Sequence, residues 1–344
     1  MKFFVGTYTK GTKSEGIYIL EFDETDKTIK MLSKTMTENP SFLAADEKML
    51  YAVNEVEEKA GYTSFYINDD YTLKEMQRLS CVGSSSCHIA VSRSKGAIYI
   101  ANYSSGDILC YKMGETAKSD SFLMGIKYNG RGPNEKRQNA PYAHSVNISP
   151  NEKHLVVADL GTDKLMVYDI LDNGKIEGNA INAFVDVGGG EGPRHLCFHP
   201  TQDRLYVVTE LLNNVISFSY NRDTGKIEKE DVFPILPKGY TGDSLSAEIY
   251  LSNDSKFLYA SNRGWDGIVS FRVDEKGKLS QNGLHEGYGK SPRSFLVSDD
   301  DEYFVIAYQQ SDRIVVVKRD SKTGGMGEII SEIDIPSPIC VIPI

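Results

Sequence analysis

The chain has 344 residues, of which 40% are hydrophobic and 25% are charged, a balance typical of globular proteins. Its 38 Lys and Arg residues are outnumbered by 48 Asp and Glu residues, for a formal net charge of −10. This acidic balance argues against nucleic acid or an anionic membrane as a partner, although a locally basic cleft can still bind a small anion.

Two strands are predicted near the N-terminus, in KFFVGTYT (2–9) and GIYILEFD (16–23). Repeated units of about fifty residues follow, each with an alternating apolar strand, a polar turn, a more continuous apolar strand and two further strands. Their first strands begin near residues 40, 87, 142, 193, 246 and 292. A last strand is predicted in PICVIPI (338–344), at the end of the chain.

Four antiparallel strands per unit are typical of a β-propeller blade. The N-terminal strands have no first strand before them, and the C-terminal strand has no second strand after it. We therefore predict an all-β fold, a seven-bladed β-propeller that forms a single domain over residues 1–344. Strands from the two chain ends share one blade, which closes the ring and leaves no free sheet edge.

Strand direction predicts where a site must lie. The start of each first strand and the end of each second strand reach the same face of the disc, so these positions surround one mouth of the central channel. A purely structural repeat would place similar residues there, whereas this chain places varied polar ones. We predict a cluster of His144, Arg194, Glu210 and Arg263, with substrate contacts from His195, Glu55, Arg293 and Gln309.

The longest insertion covers roughly residues 114–141 and leads into the strand that carries His144. It adds Arg137 and Gln138 as expected substrate contacts. A long loop that ends at the mouth could cover a ligand, and a solvated surface loop is the alternative.

Several common motifs are missing from the sequence. There is no GxSxG elbow, HExxH motif, zinc-type Cys/His spacing or dinucleotide fingerprint, so we expect neither a metal nor a cofactor. The five cysteines are odd in number and form no CxxC pair, which predicts reduced thiols in a cytoplasmic protein. The N-terminal apolar run is too short for a signal peptide or a membrane span.

The repeats resemble the lactonase family of seven-bladed propellers over essentially the whole chain. The segments that carry the resemblance include RQNAPYAHSVNISP (137–150), GPRHLCFHP (192–200) and SNRG (261–264). The resemblance implies His144, Arg194, Glu210 and Arg263 as active-site residues and 6-phosphogluconolactone as the substrate. Three positions depart from the family, which often has His where this chain has Tyr142, Tyr250 and Trp265.

Our mechanistic hypothesis is lactone hydrolysis with His144 as the general base. Glu210 would orient His144 or share in proton transfer, while Arg194 and Arg263 would polarise the carbonyl and bind a carboxylate or phosphate. His195 is the rival base. Because neighbouring residues of a strand point to opposite faces, we expect its side chain to point between blades, away from Arg194.

Two alternatives remain open at this point. A cycloisomerase that acts on muconate-type diacids would use the same mouth, with a proton donor to carbon. A propeller without catalytic activity that binds a protein or a sugar would need no convergence of His, Glu and Arg. The sequence leaves the oligomeric state undecided.

Overall fold

Seven antiparallel sheets form in the computed structural model, which describes residues 1–114 and 119–344. The first sheet joins β1 (Lys2–Thr7), β2 (Gly16–Asp23) and β3 (Thr28–Met36) to the last strand of the chain, β29 (Pro338–Pro343). We call this sheet blade 1. Blades 2 to 7 follow in chain order, each with its first strand at the centre of the ring.

Blades 2 to 4 contain the next thirteen strands: β4 (Leu43–Ala45), β5 (Met49–Val53), β6 (Ala60–Ile67) and β7 (Leu73–Cys81); β8 (Ser86–Ser92), β9 (Ala97–Asn102), β10 (Asp107–Met113) and β11 (Ser119–Lys127); β12 (Ala143–Ile148), β13 (His154–Asp159), β14 (Lys164–Ile170), β15 (Ile176–Gly178) and β16 (Phe184–Asp186).

Blades 5 to 7 contain β17 (Pro193–Phe198), β18 (Arg204–Thr209), β19 (Asn214–Tyr220) and β20 (Ile227–Pro234); β21 (Leu245–Leu251), β22 (Phe257–Arg263), β23 (Ile268–Val273) and β24 (Leu279–His285); β25 (Pro292–Val297), β26 (Tyr303–Tyr308), β27 (Arg313–Arg319) and β28 (Met326–Asp334). The described residues form no helix apart from one 3-10 turn over Gln309–Ser311. Among them there is thus no helix that is long and apolar enough to cross a membrane.

The ring closes as predicted. The innermost strands contact one another in the cycle β29, β4, β8, β12, β17, β21, β25 and back to β29. In blade 1 the two chain ends pair directly, with Phe4 opposite Ile342 and Val5 opposite Val341. The seven-bladed, all-β fold is thereby confirmed, whereas the assignment of residues 1–344 to a single domain stays a prediction.

Blade 4 departs from the four-strand pattern because its outer strand is interrupted. β15 pairs with one end of β14, and β16 pairs with the other end. Between them, the Asn179 side chain accepts hydrogen bonds from the backbone N–H groups of Ile181 and Asn182 at 3.0 and 2.9 Å. An Asn side chain that bonds to the backbone two and three residues on makes a turn in place of a strand.

Neighbouring blades stack through apolar faces and through a repeated polar contact. In blades 3, 5 and 6, a buried tyrosine of the second strand donates a hydrogen bond to the turn between the third and fourth strands of the next blade. The pairs are Tyr99 with the carbonyl of Gly174 at 3.1 Å, Tyr206 with that of Gly277 at 2.6 Å, and Tyr259 with that of Gly324 at 3.1 Å. Each contact satisfies a hydroxyl that would be costly to bury alone.

A β-bulge at the start of the inner strands turns side chains into the channel. The pairing between first and second strands skips one residue in blades 3, 4, 5 and 7, and the skipped residues are Cys87, His144, Arg194 and Arg293. A bulge breaks the alternation of side chains along a strand. The same break in blade 6 skips two residues, Ala247 and Glu248.

Candidate active site

One cavity of about 210 Å³ occupies the mouth of the central channel. It is lined by eight of the predicted site residues: Glu55, Arg137, His144, Arg194, His195, Glu210, Arg263 and Arg293. Ser41, Phe42, Cys87, Tyr103, Leu245 and Ile339 complete the lining. Residues that are up to 298 positions apart in the sequence, from Ser41 to Ile339, therefore surround the same space.

Gln138 and Gln309 do not line this cavity. Gln138 is fully buried, and its amide nitrogen donates to the carbonyl of Leu160 at 2.9 Å and to Asp163 Oδ1 at 2.7 Å. Its amide fixes the loop that carries Arg137, and the expectation that Gln138 contacts substrate stays a prediction. Gln309 Oε1 accepts a hydrogen bond from Arg293 Nη1 at 3.3 Å, so Gln309 contacts a residue of the lining.

The expected orientation of His195 is also wrong. His195 lines the same cavity as Arg194, although the two residues are adjacent in the strand. The cause is the bulge: Pro193 pairs with Thr209 and His195 with Val208, which leaves Arg194 unpaired between them. Two consecutive side chains can therefore face the channel.

Glu210 is the centre of a cluster of guanidinium groups. Its Oε2 accepts hydrogen bonds from Arg194 Nε and Arg263 Nη2, both at 3.0 Å, and its Oε1 accepts one from Arg137 Nη2. Although burial acts in the opposite direction, Arg263, Arg194 and Arg137 lower the pKa of Glu210 to about 2. Glu210 is therefore a carboxylate at any physiological pH.

His195 has a carboxylate of its own. Its Nδ1 lies 2.8 Å from Glu248 Oε1, and Glu248 Oε1 also accepts the backbone N–H of Ile249 at 3.1 Å. Burial raises the pKa of Glu248, but His195, Arg194 and the backbone N–H of Ile249 together outweigh it, and the net pKa is lowered. An ionised Glu248 can only accept a hydrogen bond from His195. The ring proton of His195 is therefore on Nδ1, and Nε2 is the basic nitrogen.

His144 has no such partner. Its Nδ1 is buried without a hydrogen bond to any described residue. Burial, together with Arg194 and His195, holds the pKa of His144 well below its usual range. Its ring lies edge-on to the rings of His195 and Tyr103, with centroid distances of 5.3 and 5.5 Å. The structure shows no contact through which Glu210 would orient His144.

Sequence reasoning missed Glu248 and Tyr8 as site residues. Glu248 occupies the position of blade 6 that matches His195 of blade 5, so an alignment of the repeats could have identified it. Tyr8 follows the last residue of β1, and its hydroxyl donates to Glu55 Oε2 at 3.0 Å. Nothing in the repeat pattern distinguished this tyrosine from the other nineteen.

The insertion before His144 is shorter than the sequence suggested. Residues 119–127 form β11, the outer strand of blade 3, and residues 115–118 lie outside the described part. The loop itself covers residues 128–142, and its Arg137 donates a hydrogen bond to Glu210 in the cavity.

No group of three or more His, Cys, Asp and Glu side chains among the described residues is arranged to hold a metal ion. The five cysteines are free. Cys87 lines the cavity, and burial raises the pKa of its thiol well above the usual range, which leaves it protonated.

A family model described as a seven-bladed β-propeller lactonase matches residues 2–343. The chain belongs to this lactonase family. It is 31% identical over 347 aligned positions to the 6-phosphogluconolactonase of Bacillus subtilis (strain 168). The alignment covers 98% of this chain and 97% of the relative.

Solved structures show the same lactonase fold. A periplasmic gluconolactonase from Pseudomonas aeruginosa superposes with a TM-score of 0.92 at 27% identity and covers 99% of both chains. A protein from Lactobacillus plantarum superposes with a TM-score of 0.92 at 28% identity, covering 99% of this chain and 98% of the other.

Proposed function

We propose that this chain hydrolyses the lactone of an aldonic acid, with 6-phosphogluconolactone as the preferred substrate. The observation that carries the proposal is the convergence in one cavity of an imidazole held by a carboxylate, His195 with Glu248, and of the arginines around Glu210. The names of the Bacillus subtilis and Pseudomonas aeruginosa relatives support a sugar lactone as substrate.

His195 is the general base of this proposal, in place of His144. Nε2 of His195 takes a proton from a water molecule, and the hydroxide attacks the lactone carbonyl carbon. Glu248 stabilises the imidazolium that forms, because its carboxylate accepts a hydrogen bond from the Nδ1–H group of His195. His144, whose Nδ1 has no hydrogen-bond partner in the described part of the chain, is then a substrate contact.

Arg194 and Arg263 stabilise the tetrahedral oxyanion. Glu210 and the carbonyls of Ala247 and Ser246 hold both guanidinium groups in place. Both side chains line the cavity, where their remaining N–H groups could donate to an oxyanion. The ring C–O bond then breaks, and the leaving oxygen takes the proton back from His195, which gives a carboxylic acid and a hydroxyl group. The acid then loses its proton to solvent and leaves as the carboxylate.

The test is the initial rate of lactone opening above the spontaneous rate, for 6-phosphogluconolactone and a panel of unphosphorylated and muconate-type lactones. We expect the fastest hydrolysis with the phosphorylated sugar lactone and the hydroxy acid as the sole product. A cycloisomerised product would support the lactonizing alternative. The absence of turnover across the panel would contradict the proposal and favour a binding protein.

The location and partners of the chain belong to the same proposal. The five free cysteines fit a reducing compartment, so we propose a cytoplasmic enzyme whose partner is its small-molecule substrate. The net charge of −10 supports the absence of nucleic acid and membrane partners.

A further inference from the structure

Four arginines line the cavity, and one of them lacks a carboxylate. Arg137, Arg194 and Arg263 each form an ion pair with Glu210. Arg293 forms no ion pair within 4.0 Å with any residue that the structure describes. Glu55 and Glu210 favour its charge from a distance, so Arg293 is a partly exposed cation at the cavity wall that has no carboxylate in direct contact. An anion in the cavity could supply that direct contact.

Neutral groups hold Arg293 in a fixed orientation. Its Nη2 donates to the Tyr8 hydroxyl at 2.9 Å, and its Nη1 donates to Gln309 Oε1 at 3.3 Å. The guanidinium also lies over the Tyr8 ring, 5.2 Å from the centroid. The Tyr8 hydroxyl donates in turn to Glu55, whose carboxylate favours the charged form of Arg293 without forming an ion pair with it.

These hydrogen bonds use two of the five N–H groups that a guanidinium carries. The rest are free to bind a ligand through paired N–H groups, the geometry that suits phosphate and carboxylate. Arg293 is thus oriented in advance, and a ligand anion would not have to displace a carboxylate from it.

Arg293 reaches the cavity from a different blade than Arg194 does. It occupies the bulge of blade 7, whereas Arg194 occupies the bulge of blade 5, and the bulge of blade 6 between them begins with the small side chain of Ala247. A substrate can therefore place its carbonyl at Arg194 and a second group at Arg293.

We propose that Arg293 is the specificity determinant of the cavity and binds a terminal oxyanion of the substrate, remote from the lactone carbonyl. The inference rests on the proposed lactonase function for the identity of the carbonyl end. It names the class of substrate as a sugar lactone that carries a phosphate or a carboxylate at the far end of its carbon chain.

The experiment measures the binding of three sugar acids by calorimetry: gluconate, glucarate with a second carboxylate, and 6-phosphogluconate. It compares the wild type with Arg293→Met and with Arg131→Met, an exposed arginine outside the cavity, as the matched control. We expect Arg293→Met to weaken the binding of 6-phosphogluconate by about 10- to 100-fold, the range for one charge-assisted hydrogen-bonding group. The binding of gluconate should weaken much less. Comparison of glucarate with 6-phosphogluconate identifies the preferred oxyanion.

An equal loss for all three ligands, or a wild type that binds gluconate as tightly as 6-phosphogluconate, would overturn the assignment. Tyr8→Phe keeps the ring beneath Arg293 and removes only the hydroxyl, so it tests the same idea if Arg293→Met fails to fold. For Tyr8→Phe we expect a smaller loss of binding affinity than for Arg293→Met, again confined to the ligands that carry a second anionic group. Because binding needs no turnover, failure here is distinguishable from failure of the lactonase proposal, which the rate measurements test.

Discussion

At the scale of single residues, the site separates two carboxylates by their surroundings. Glu210 accepts hydrogen bonds from three arginines, whereas Glu248 accepts one from an imidazole and one from the backbone. The first carboxylate cannot take up a proton near neutral pH, and the second can support a charge that appears on His195. Their different partners therefore assign one to holding the arginines and the other to the base.

Replacement of Glu210 by Gln should destabilise the protein, because it leaves three guanidinium groups close together without a counter-charge. We expect a loss of about 3–5 kcal/mol in the free energy of unfolding at pH 7, the range for one partner removed from a buried ion pair. Urea denaturation measures it, and Glu177→Gln at an exposed position is the control. A loss as small as that of the control would show that the cluster is not held by Glu210.

The pH dependence of that loss has a defined sign. The pKa of Glu210 is lowered to about 2 from its ordinary value of 4.5, so its stabilising effect is fully present above pH 4.5 and is lost as the pH falls toward 2. The difference in stability between the wild type and Glu210→Gln should therefore shrink over this interval.

Glu248→Gln should slow the reaction and shift the acid limb of the curve of kcat/KM against pH. Burial lowers the pKa of His195, and Glu248 partly offsets this effect. Because the neutral imidazole is the active form, kcat/KM falls only below that lowered pKa. Removal of the Glu248 charge lowers the pKa further, so the acid limb should shift to lower pH while kcat falls about 100-fold.

Measurement of kcat/KM against pH for Glu248→Gln and the Glu177→Gln control tests this prediction. An acid limb that stays at the wild-type pH would mean that Glu248 does not act through His195.

At the scale of secondary-structure elements, the turns between third and fourth strands join neighbouring blades. Gly324 has a φ of +71°, and a Cβ built on it would lie 2.2 Å from Cδ1 of Phe257 in blade 6. Phe257 is buried, so its ring has little room to move aside. Glycine is thus required here both by the backbone conformation and by the neighbouring blade.

Gly324→Ala should cost about 3 kcal/mol of stability, the sum of a left-handed conformation and an overpacked contact. Gly239→Ala is the matched control, since Gly239 has a φ of +84° but no atom within 4 Å of the added Cβ. That variant should lose only about 1 kcal/mol. Thermal or urea unfolding of both proteins gives the comparison, and equal losses would show that the contact between blades contributes nothing.

At the scale of the whole molecule, one pairing of strands holds the ring closed. β29 is the inner strand of blade 1, and it contacts the inner strands of blades 2 and 7. Without it, β1 would expose an unpaired edge to the channel, and such edges promote aggregation.

Deletion of residues 338–344 should therefore abolish cooperative unfolding and produce soluble aggregates or insoluble protein. Deletion of Ile344 alone is the control, because this residue is 46% exposed and follows the last paired residue. Size-exclusion chromatography and thermal unfolding measure the outcome. A monomeric, cooperatively folded 337-residue chain would contradict the closure mechanism.

Most of the architecture follows from the sequence because a blade repeats its pattern of apolar residues and turns. The mouth positions could be aligned between blades for the same reason, and eight of ten expected contacts do line the cavity. The orientation of His195 could not be predicted, because simple alternation gives no sign of a bulge at Arg194. The pairing of Glu248 with His195 joins different blades, so no local pattern reports it.

The most direct test of the whole account is the initial rate of 6-phosphogluconolactone hydrolysis, corrected for spontaneous opening, in the wild type, His195→Ala and His144→Ala. The account predicts that His195→Ala lowers kcat by about 10²- to 10⁴-fold, the range for loss of a general base, and that His144→Ala lowers it less. Folded His195→Ala protein with the wild-type rate would contradict it.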